Sequence, residues 1–285
     1  MAADANKDQS EFWNDSAGRK WVQEQEILDA MLQQYSDVVM GRLEFYDGDR
    51  ILDVGCGCGG TSLVLAEKVG PTGSVLGVDI SDVMLVHARE RARTAAIENI
   101  SFEHCDAQEA ELPEQHYDVV FSRFGIMFFD DPEKAFTNFF NTLHPDGEIG
   151  FACWQAVAQN EWISAPLGLI GKHVDLPAPT PGAPGPFAFA DPERIGQILM
   201  AAGFDQVSIL PVEKPIVIGD GTVAGALDFT LKVGPASALL ADADESVTRS
   251  VVKDLEKLFS ESITDGRVEM QSSAWAVTAR RTREQ

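Results

Sequence analysis

Residues 51–60 read Ile-Leu-Asp-Val-Gly-Cys-Gly-Cys-Gly-Gly, a short apolar run that ends in a glycine-rich stretch. Residues 61–69 have helical spacing, so the segment predicts a strand, a tight turn and a helix. Glycine lets the backbone turn sharply and approach a ligand without a Cβ clash. The helix that follows would add unpaired N–H groups and a partial positive charge at the same point. A ligand-binding turn is therefore the first expectation.

Strand-like and helix-like segments alternate outward from this turn. Apolar runs typical of buried strands occupy residues 51–54, 74–79, 100–104, 117–122 and 148–154. Nearly continuous apolar strands separated by helices favour a parallel sheet that is covered on both faces. Because crossover connections are right-handed, the expected fold class is α/β, a doubly wound Rossmann-like sheet.

The flanking segments predict covering helices and further strands. Helical periodicity occupies 11–46, 160–171, 192–202 and most of 222–264, and alternation predicts strands at 207–218, interrupted at Pro211 and Pro215, and at 272–279. We expect a helical lid over 1–45 and a ligand-binding core over 46–155. The remainder of the same domain, 156–285, would carry cap insertions at 156–187, which includes a proline-rich loop, and at 215–265.

Composition limits the classes of partner. The chain of 285 residues has a formal net charge of −23, which disfavours contact with phosphate backbones and anionic lipid. We expect no nucleic-acid partner and, since no apolar stretch approaches 20 residues, no membrane span. Four cysteines beside apolar runs indicate buried thiols in a reducing, cytoplasmic setting, and two thiols alone predict no metal site.

Two acidic residues flank the glycine turn. Asp79 ends the second strand, where an acid commonly binds ribose hydroxyls. Gly55-x-Gly57-x-x-Gly60 also fits a dinucleotide fingerprint, so a nicotinamide cofactor is one hypothesis. Asp53 argues against it, because a carboxylate before the turn would repel a pyrophosphate and favour an ammonium group. S-adenosylmethionine, with an ammonium, a cationic sulfur and no phosphate, suits that carboxylate better.

The order of these blocks resembles a known family. The run ILDVGCGCGG…VLGVDIS…FEHCDAQ…YDVVFSRFGIMFF…LHPDGEIGFACW is similar to class I S-adenosylmethionine-dependent methyltransferases, of the bacterial small-molecule kind that includes ubiquinone/menaquinone-methylating enzymes. The clear resemblance covers about residues 45–155. It implies a seven-stranded, mostly parallel sheet whose last strand is antiparallel.

The resemblance also implies roles for individual residues. Asp53 and the loop glycines would bind the methionine half of the cofactor and Asp79 the ribose. Asp106 would bind the adenine amino group, or would instead cap the turn that follows it. Ile80 and Met84, which could equally be core, would flank the adenine. The full set of expected cofactor-binding residues is Trp21, Asp53, Gly55, Gly57, Gly59, Asp79, Ile80, Met84, Asp106, Ala107, Gln108, Ser122, Arg123 and Phe124.

The acceptor side carries weaker signals. Methyl transfer from a sulfonium needs alignment and water exclusion more than a strong base. His173, next to the proline-rich loop, is the one histidine we nominate as a base, and no other catalytic residue is predicted. Apolar side chains expected to line the acceptor pocket are Trp13, Met127, Phe128, Trp154 and Trp162.

The sequence thus predicts a cytoplasmic enzyme that transfers a methyl group from S-adenosylmethionine to a small organic molecule by direct displacement. A nicotinamide-dependent oxidoreductase and a non-catalytic cofactor-binding module are the alternatives. The acceptor, its reacting atom and the oligomeric state do not follow from the sequence.

Overall fold

The computed structural model describes residues 6–177, 180, 182–233, 235–240 and 243–282. Parts of the expected lid and cap, residues 1–5, 178–179, 181, 234 and 241–242, lie outside these described residues. Within the described chain the helices are α1 (Lys7–Asn14), α2 (Ser16–Gln23), α3 (Gln25–Met40), α4 (Gly60–Lys68), α5 (Asp82–Thr94), α6 (Pro132–Thr142), α7 (Glu161–Ile170), α8 (Pro192–Ala202), α9 (Val223–Lys232), α10 (Pro235–Leu239) and α11 (Glu245–Glu261).

The strands form one principal sheet. They are β1 (Arg50–Val54), β2 (Ser74–Asp79), β3 (Ile100–His104), β4 (Tyr117–Arg123), β5 (Leu143–Trp154), β6 (Asp205–Val217), β7 (Ile263–Thr264) and β8 (Arg267–Arg280). Among the described residues the order is β3-β2-β1-β4-β5-β8-β6, and the short β7 pairs with β8. The first five strands of this order are parallel, whereas β8 runs antiparallel to β5 and β6. The expected doubly wound sheet with an antiparallel last strand is confirmed.

The strand order reverses at β1. Strand β2 lies on one side of β1 and β4 on the other, so the connections leave in opposite directions. In open α/β sheets ligands bind beyond the carboxyl ends of the strands at such a switch point. The glycine-rich turn follows β1 directly, so the fold places it at that position.

Strand β6 differs from its expected form. It is continuous from Asp205 to Val217, although interruptions were expected at Pro211 and Pro215. In the order above β6 is the terminal strand and pairs with β8, with Pro211 opposite Trp275 and Pro215 opposite Gln271. Proline is tolerated on such a strand because a residue there need not donate to a second neighbour.

The amino-terminal helical segment is also divided. The expected helix over 11–46 is three helices, since Asp15 and Glu24 leave helical geometry. Helix α3 packs on the sheet, where its Tyr35 and Val39 are fully buried. Helices α1 and α2 lie against α5, beside the carboxyl ends of the strands. Helices α1 and α2 therefore lie at the edge of the sheet where a lid is expected, whereas α3 belongs to the core; the lid itself stays a prediction.

The cap is a second helical layer. Helix α7 packs against α10 and α11, and α9 packs against the same two helices. Hydrogen bonds join this layer to the lid, from Lys20 Nζ to Ser237 Oγ (2.7 Å) and from Lys232 Nζ to Glu24 Oε1 (3.3 Å). No helix among the described residues combines the length and the apolar character needed to cross a bilayer.

Candidate functional site

The glycine turn is built from left-handed backbone. Gly55, Gly57 and Gly59 have φ angles of +65°, +54° and +76°, which other residues adopt at a cost. The N–H groups of Gly55 and Cys56 donate to the Val78 carbonyl at 2.9 and 3.1 Å, so the turn is tied to β2. The sequence requires glycine here because of backbone conformation.

Asp79 is held by two backbone groups. One carboxylate oxygen accepts from the N–H of Gly57 (2.8 Å) and the other from the N–H of Ser81 (2.8 Å). The side chain is buried, which raises the pKa of Asp79, while the two backbone donors counteract that rise. Each oxygen keeps a lone pair, so the carboxylate is oriented and can still accept from hydroxyl donors.

Asp53 lies beneath the turn and is fully buried. Its Oδ2 accepts from the hydroxyls of Thr61 (2.7 Å) and Ser62 (2.6 Å), whereas Oδ1 has no hydrogen-bond partner. Burial raises the pKa of Asp53 to about 6. A buried, unsatisfied carboxylate oxygen is costly, and a cationic donor would relieve that cost.

The residues after β4 cross the turn. Gly125 lies so close that a Cβ on Gly55 would be 2.7 Å from the Gly125 Cα. Ser122 donates to the Val54 carbonyl at 2.7 Å and thereby joins β4 to β1. Phe124 has a φ of +60°, an unusual conformation for an aromatic residue that is often found at functional sites.

An aromatic cluster lies beyond Phe124. Its ring stacks on Trp154 with centroids 4.1 Å apart, and Tyr35 packs edge-on against both rings at 5.4 and 5.2 Å. Trp162 of α7 extends the cluster from Trp154 at 5.3 Å, and the backbone N–H of Trp154 donates to Met127 Sδ at 3.5 Å. The Tyr35 hydroxyl bonds to Ser272, and burial raises the pKa of Tyr35 to about 12, so this phenol stays neutral near pH 7.

A second aromatic group belongs to the lid. Trp13 of α1 packs edge-on against Trp21 of α2 at 5.7 Å and against Phe128 at 5.3 Å. A Cβ on Gly57 would lie 3.7 Å from Met84 Sδ and 3.9 Å from Trp21 Nε1. Trp21 and Met84 therefore face the glycine turn together, whereas Trp13 and Phe128 stand one layer further out.

The lid is fastened beside Ile80. Asn14 donates to the Ile80 carbonyl at 2.8 Å and accepts from the Asp82 N–H at 2.9 Å. The Ser81 hydroxyl donates to the Trp13 carbonyl at 2.7 Å. These bonds place α1 directly over the end of β2.

Asp106 lies at the far end of the same edge. Its oxygens accept from the Asn6 amide at 3.1 and 2.9 Å, and Oδ1 also accepts from the N–H of Gln108 at 2.9 Å. Asn6 Nδ2 also donates to Gln108 Oε1 (3.2 Å), and Asn6 Oδ1 accepts from the Asp130 N–H (2.7 Å). The amide of Asn6 therefore bonds to the carboxylate that the resemblance pairs with the adenine amino group. Ala107 is buried beside it.

His173 is separated from this site. It follows the end of α7, and its Nε2 lies 3.0 Å from Asp254 Oδ2 on α11. Trp162, in the first turn of α7, precedes Ile170, where the helix ends, by eight residues, which is about 12 Å along the axis at 1.5 Å per residue. His173 follows that end, and its side chain bonds to Asp254 on α11, so its role as a base stays a prediction.

Three residues were missed by the sequence analysis. Tyr35 and Asp29 read as ordinary helical positions of α3, and Asn6 as part of a polar terminus. Asp29 binds Arg123 across 94 residues, and Asn6 binds Asp106 across 100 residues. No local pattern could have indicated these pairings.

Comparison with known proteins agrees with this arrangement. Residues 46–164, from just before β1 to the first turn of α7, match a family described as a methyltransferase domain. This part of the chain is similar to methyltransferase domains. This match favours methyl transfer over the nicotinamide alternative.

Individual relatives align with only part of the chain. The aklanonic acid methyltransferase of a Streptomyces strain is 36% identical over 104 residues, which are 36% of this chain and 47% of the relative. The demethylmenaquinone methyltransferase of Listeria welshimeri is 33% identical over 102 residues, 36% of this chain and 43% of that protein. The chain thus spans about half the length of the curated relatives it matches.

The similarity in fold covers more of the chain than the similarity in sequence. Phosphoethanolamine N-methyltransferase 2 of Haemonchus contortus, solved with S-adenosyl-L-methionine, superposes with a TM-score of 0.60 at 17% identity. The superposition covers 96% of this chain and 60% of that protein. The similarity in fold to that protein therefore includes the helices around residues 46–164.

Proposed function

We propose that the protein is an S-adenosylmethionine-dependent methyltransferase that acts on a small organic molecule. The observation that carries the proposal is the pair of acids at the glycine turn. Asp79 is oriented by two backbone N–H groups, and Asp53 keeps an unpaired, buried oxygen. One carboxylate suits ribose hydroxyls and the other an ammonium group, a combination that fits S-adenosylmethionine and opposes a pyrophosphate.

The expected cofactor contacts follow the edge of the sheet. Asp53 and the loop glycines would hold the methionine half and Asp79 the ribose. Asp106 with Gln108 would hold the adenine, whose amino group would take the place of the Asn6 amide on the Asp106 carboxylate. Trp21 and Met84, which face Gly57, would contact the nucleoside. When bound, S-adenosylmethionine supplies a methyl group already activated by a positively charged sulfur.

The protein's own contribution is alignment and exclusion of water. Phe124, Trp154, Tyr35 and Trp162 would provide an apolar wall for the acceptor, which favours a flat, apolar molecule. Trp13, Phe128 and the lid would close the site against solvent, because the fastening of α1 beside Ile80 lies over it. A neutral Tyr35 and a distant His173 leave this site without a strong base, so we expect acceptors that need little help with deprotonation.

The relatives named above support a small acceptor. Their names specify aklanonic acid and demethylmenaquinone, both small organic molecules. We further propose a cytoplasmic location, supported by four free cysteines, and no nucleic-acid partner, supported by the net charge of −23.

Calorimetry with S-adenosylhomocysteine tests the proposal. The wild-type protein should bind it and should not bind NAD. Asp79→Ala should lower the affinity by about 1–3 kcal/mol, through the loss of charge-assisted hydrogen bonds. Asp82→Ala removes a neighbouring exposed carboxylate and serves as the matched control. Wild-type affinity in Asp79→Ala, or selective binding of NAD, would refute the assignment.

A second experiment separates catalysis from binding alone. The wild-type protein is incubated with methyl-labelled S-adenosylmethionine and a panel of quinones, phenols and organic acids. Label transfer to any of them supports the enzyme. Cofactor binding without transfer to a metabolite extract favours the non-catalytic module.

A further inference from the structure

Two buried polar atoms of opposite charge lack partners near the glycine turn. They are Oδ1 of Asp53 and Nη1 of Arg123. The side chain of Arg123 is only 10% exposed, and Asp53 is fully buried. Leaving a charged donor or acceptor unsatisfied inside a protein costs free energy, so each atom calls for a ligand group of opposite charge.

Arg123 is fixed by an acid from α3. Its Nη2 donates to Asp29 Oδ1 at 2.7 Å, and Asp29 Oδ2 lies 3.0 Å from Arg91 Nη2. Burial acts to raise the pKa of Asp29, but Arg123 and Arg91 outweigh burial and hold that pKa below its ordinary value. Asp29 therefore stays ionised and holds one nitrogen of the Arg123 fork, while the other remains available.

The Asp29–Arg123 pair lies at the amino terminus of α4. A Cβ on Gly60, the first residue of that helix, would lie 2.5 Å from Asp29 Oδ1. Asp53 and Arg123 also share a face of the sheet, since Asp53 is opposite Phe121 and Arg123 follows two residues later. An anion beside Arg123 would thus meet a guanidinium and a helix amino terminus, with the Asp53 carboxylate nearby for a cation.

An ammonium and a carboxylate on one carbon match these two unpaired atoms. We propose that Arg123 binds the carboxylate of the amino-acid end of the cofactor and that Asp29 is a positioning residue for Arg123. This inference rests on the function proposed above. The contact of Asp29 with Gly60 places the guanidinium beside the glycine turn, which favours the cofactor over an anionic acceptor.

The test compares two ligands that differ at the amino-acid end. S-adenosylhomocysteine carries the amino acid, whereas 5′-methylthioadenosine has the same nucleoside without it. Arg123→Gln should weaken the binding of S-adenosylhomocysteine by about 10- to 100-fold, the range for a lost charge-assisted hydrogen bond. Its affinity for 5′-methylthioadenosine should stay within about twofold of wild type. Arg93→Gln, an exposed arginine on α5, is the matched control and should change neither affinity.

The positioning role of Asp29 has its own readout. Asp29→Asn should weaken the binding of S-adenosylhomocysteine by a smaller factor, about 3- to 10-fold, and should leave the affinity for 5′-methylthioadenosine unchanged. In the Arg123→Gln background the same change should add almost nothing, because Asp29 acts through Arg123. Fully additive losses would show that Asp29 is merely structural.

A ligand-side measurement covers variants that fold poorly. Decarboxylated S-adenosylhomocysteine keeps the ammonium and lacks the carboxylate, so wild-type protein should bind it at least about 10-fold more weakly than the parent ligand. In Arg123→Lys, which keeps the charge but loses the fork, that ratio should shrink.

The outcomes separate the two proposals. If wild type binds none of the three nucleosides, the proposed function fails together with this inference. If wild type binds S-adenosylhomocysteine but Arg123→Gln weakens the binding of S-adenosylhomocysteine and of 5′-methylthioadenosine equally, the inference alone is overturned. Unchanged S-adenosylhomocysteine affinity in Arg123→Gln overturns it as well and assigns the guanidinium to the acceptor side.

Discussion

The glycine turn and the lid, helices α1 and α2, both border the candidate cofactor site, but different kinds of contact hold them in place. The turn is held by backbone, with three positive φ angles and N–H groups bonded to Val78 and Asp79. The lid is held by side chains, chiefly through Asn6 and Asn14. Individual hydrogen bonds of this kind contribute about 1 kcal/mol, so we expect α1 and α2 to separate from the sheet more easily than its strands separate from one another. The turn is preorganised by its backbone, and we propose that α1 and α2 complete the site.

The largest expected effect tests the rigidity of the turn. Gly55→Ala would place a Cβ 2.7 Å from the Gly125 Cα at a φ of +65°, so we expect a loss of roughly 2–5 kcal/mol from strain and overpacking. Gly196→Ala in α8 is the matched control, since its Cβ meets nothing within 4 Å and should stabilise by about 0.5–1 kcal/mol. Urea unfolding measures both. Equal effects at the two positions would contradict a turn defined by backbone.

The ionised carboxylate of Asp53, beneath the glycine turn, lowers the stability of the folded protein. Its folded-state pKa of about 6 exceeds the ordinary value of 3.8, so the folded chain binds more protons between these values and loses stability as pH rises through them. Asp53→Asn should therefore stabilise the protein by about 3 kcal/mol above that window and have little effect below it. The same variant should lose affinity for S-adenosylhomocysteine.

Thermal unfolding across pH checks the Asp53 prediction. The gain of the variant should vanish below about pH 4, where Asp53 is protonated in both states. Calorimetry in buffers of different ionisation enthalpy should also detect proton release from wild type on ligand binding near pH 6. A gain that does not vary with pH would mean that ionisation of Asp53 is not the cause.

A third prediction concerns the lid. Deleting residues 1–23 removes α1 and α2 but keeps α3, whose Tyr35 and Val39 are core residues. The truncated chain should unfold cooperatively and bind S-adenosylhomocysteine about 10-fold or more weakly, about 1.4 kcal/mol. Unchanged affinity would reject the lid, and loss of the cooperative transition would assign α1 and α2 to the core.

The smallest effect is expected at His173. Its partner Asp254 is on α11, and the side chains are 25% and 39% exposed. Label transfer by His173→Ala, with an acceptor found as above, should stay within about twofold of wild type. Asp254→Asn should behave in the same way. A large loss in either variant would return His173 to the role of base that the sequence analysis gave it.

Much of the fold of residues 46–164 was predictable because its signals are local. Helix α5, for example, starts at Asp82 directly after Ser81, whose hydroxyl accepts from the Met84 N–H and caps the helix. The antiparallel direction of the last strand was implied by the resemblance to a family, whereas its position between β5 and β6 came from the structure, since no local pattern states which strands pair. The division of residues 7–40 into three helices was missed, because Asp15 and Glu24 leave helical geometry where tertiary contacts form.

The sequence by itself determined the strand, the glycine turn and the acids at their ends, since period, turn geometry and charge are properties of neighbouring residues. Only the tertiary structure decided which side chains complete the site. Asp29 reaches Arg123, Asn6 reaches Asp106, and Asp254 pairs with His173. Each pairing joins residues about 80 to 100 positions apart, so the folded sheet and not the local sequence brings them into contact.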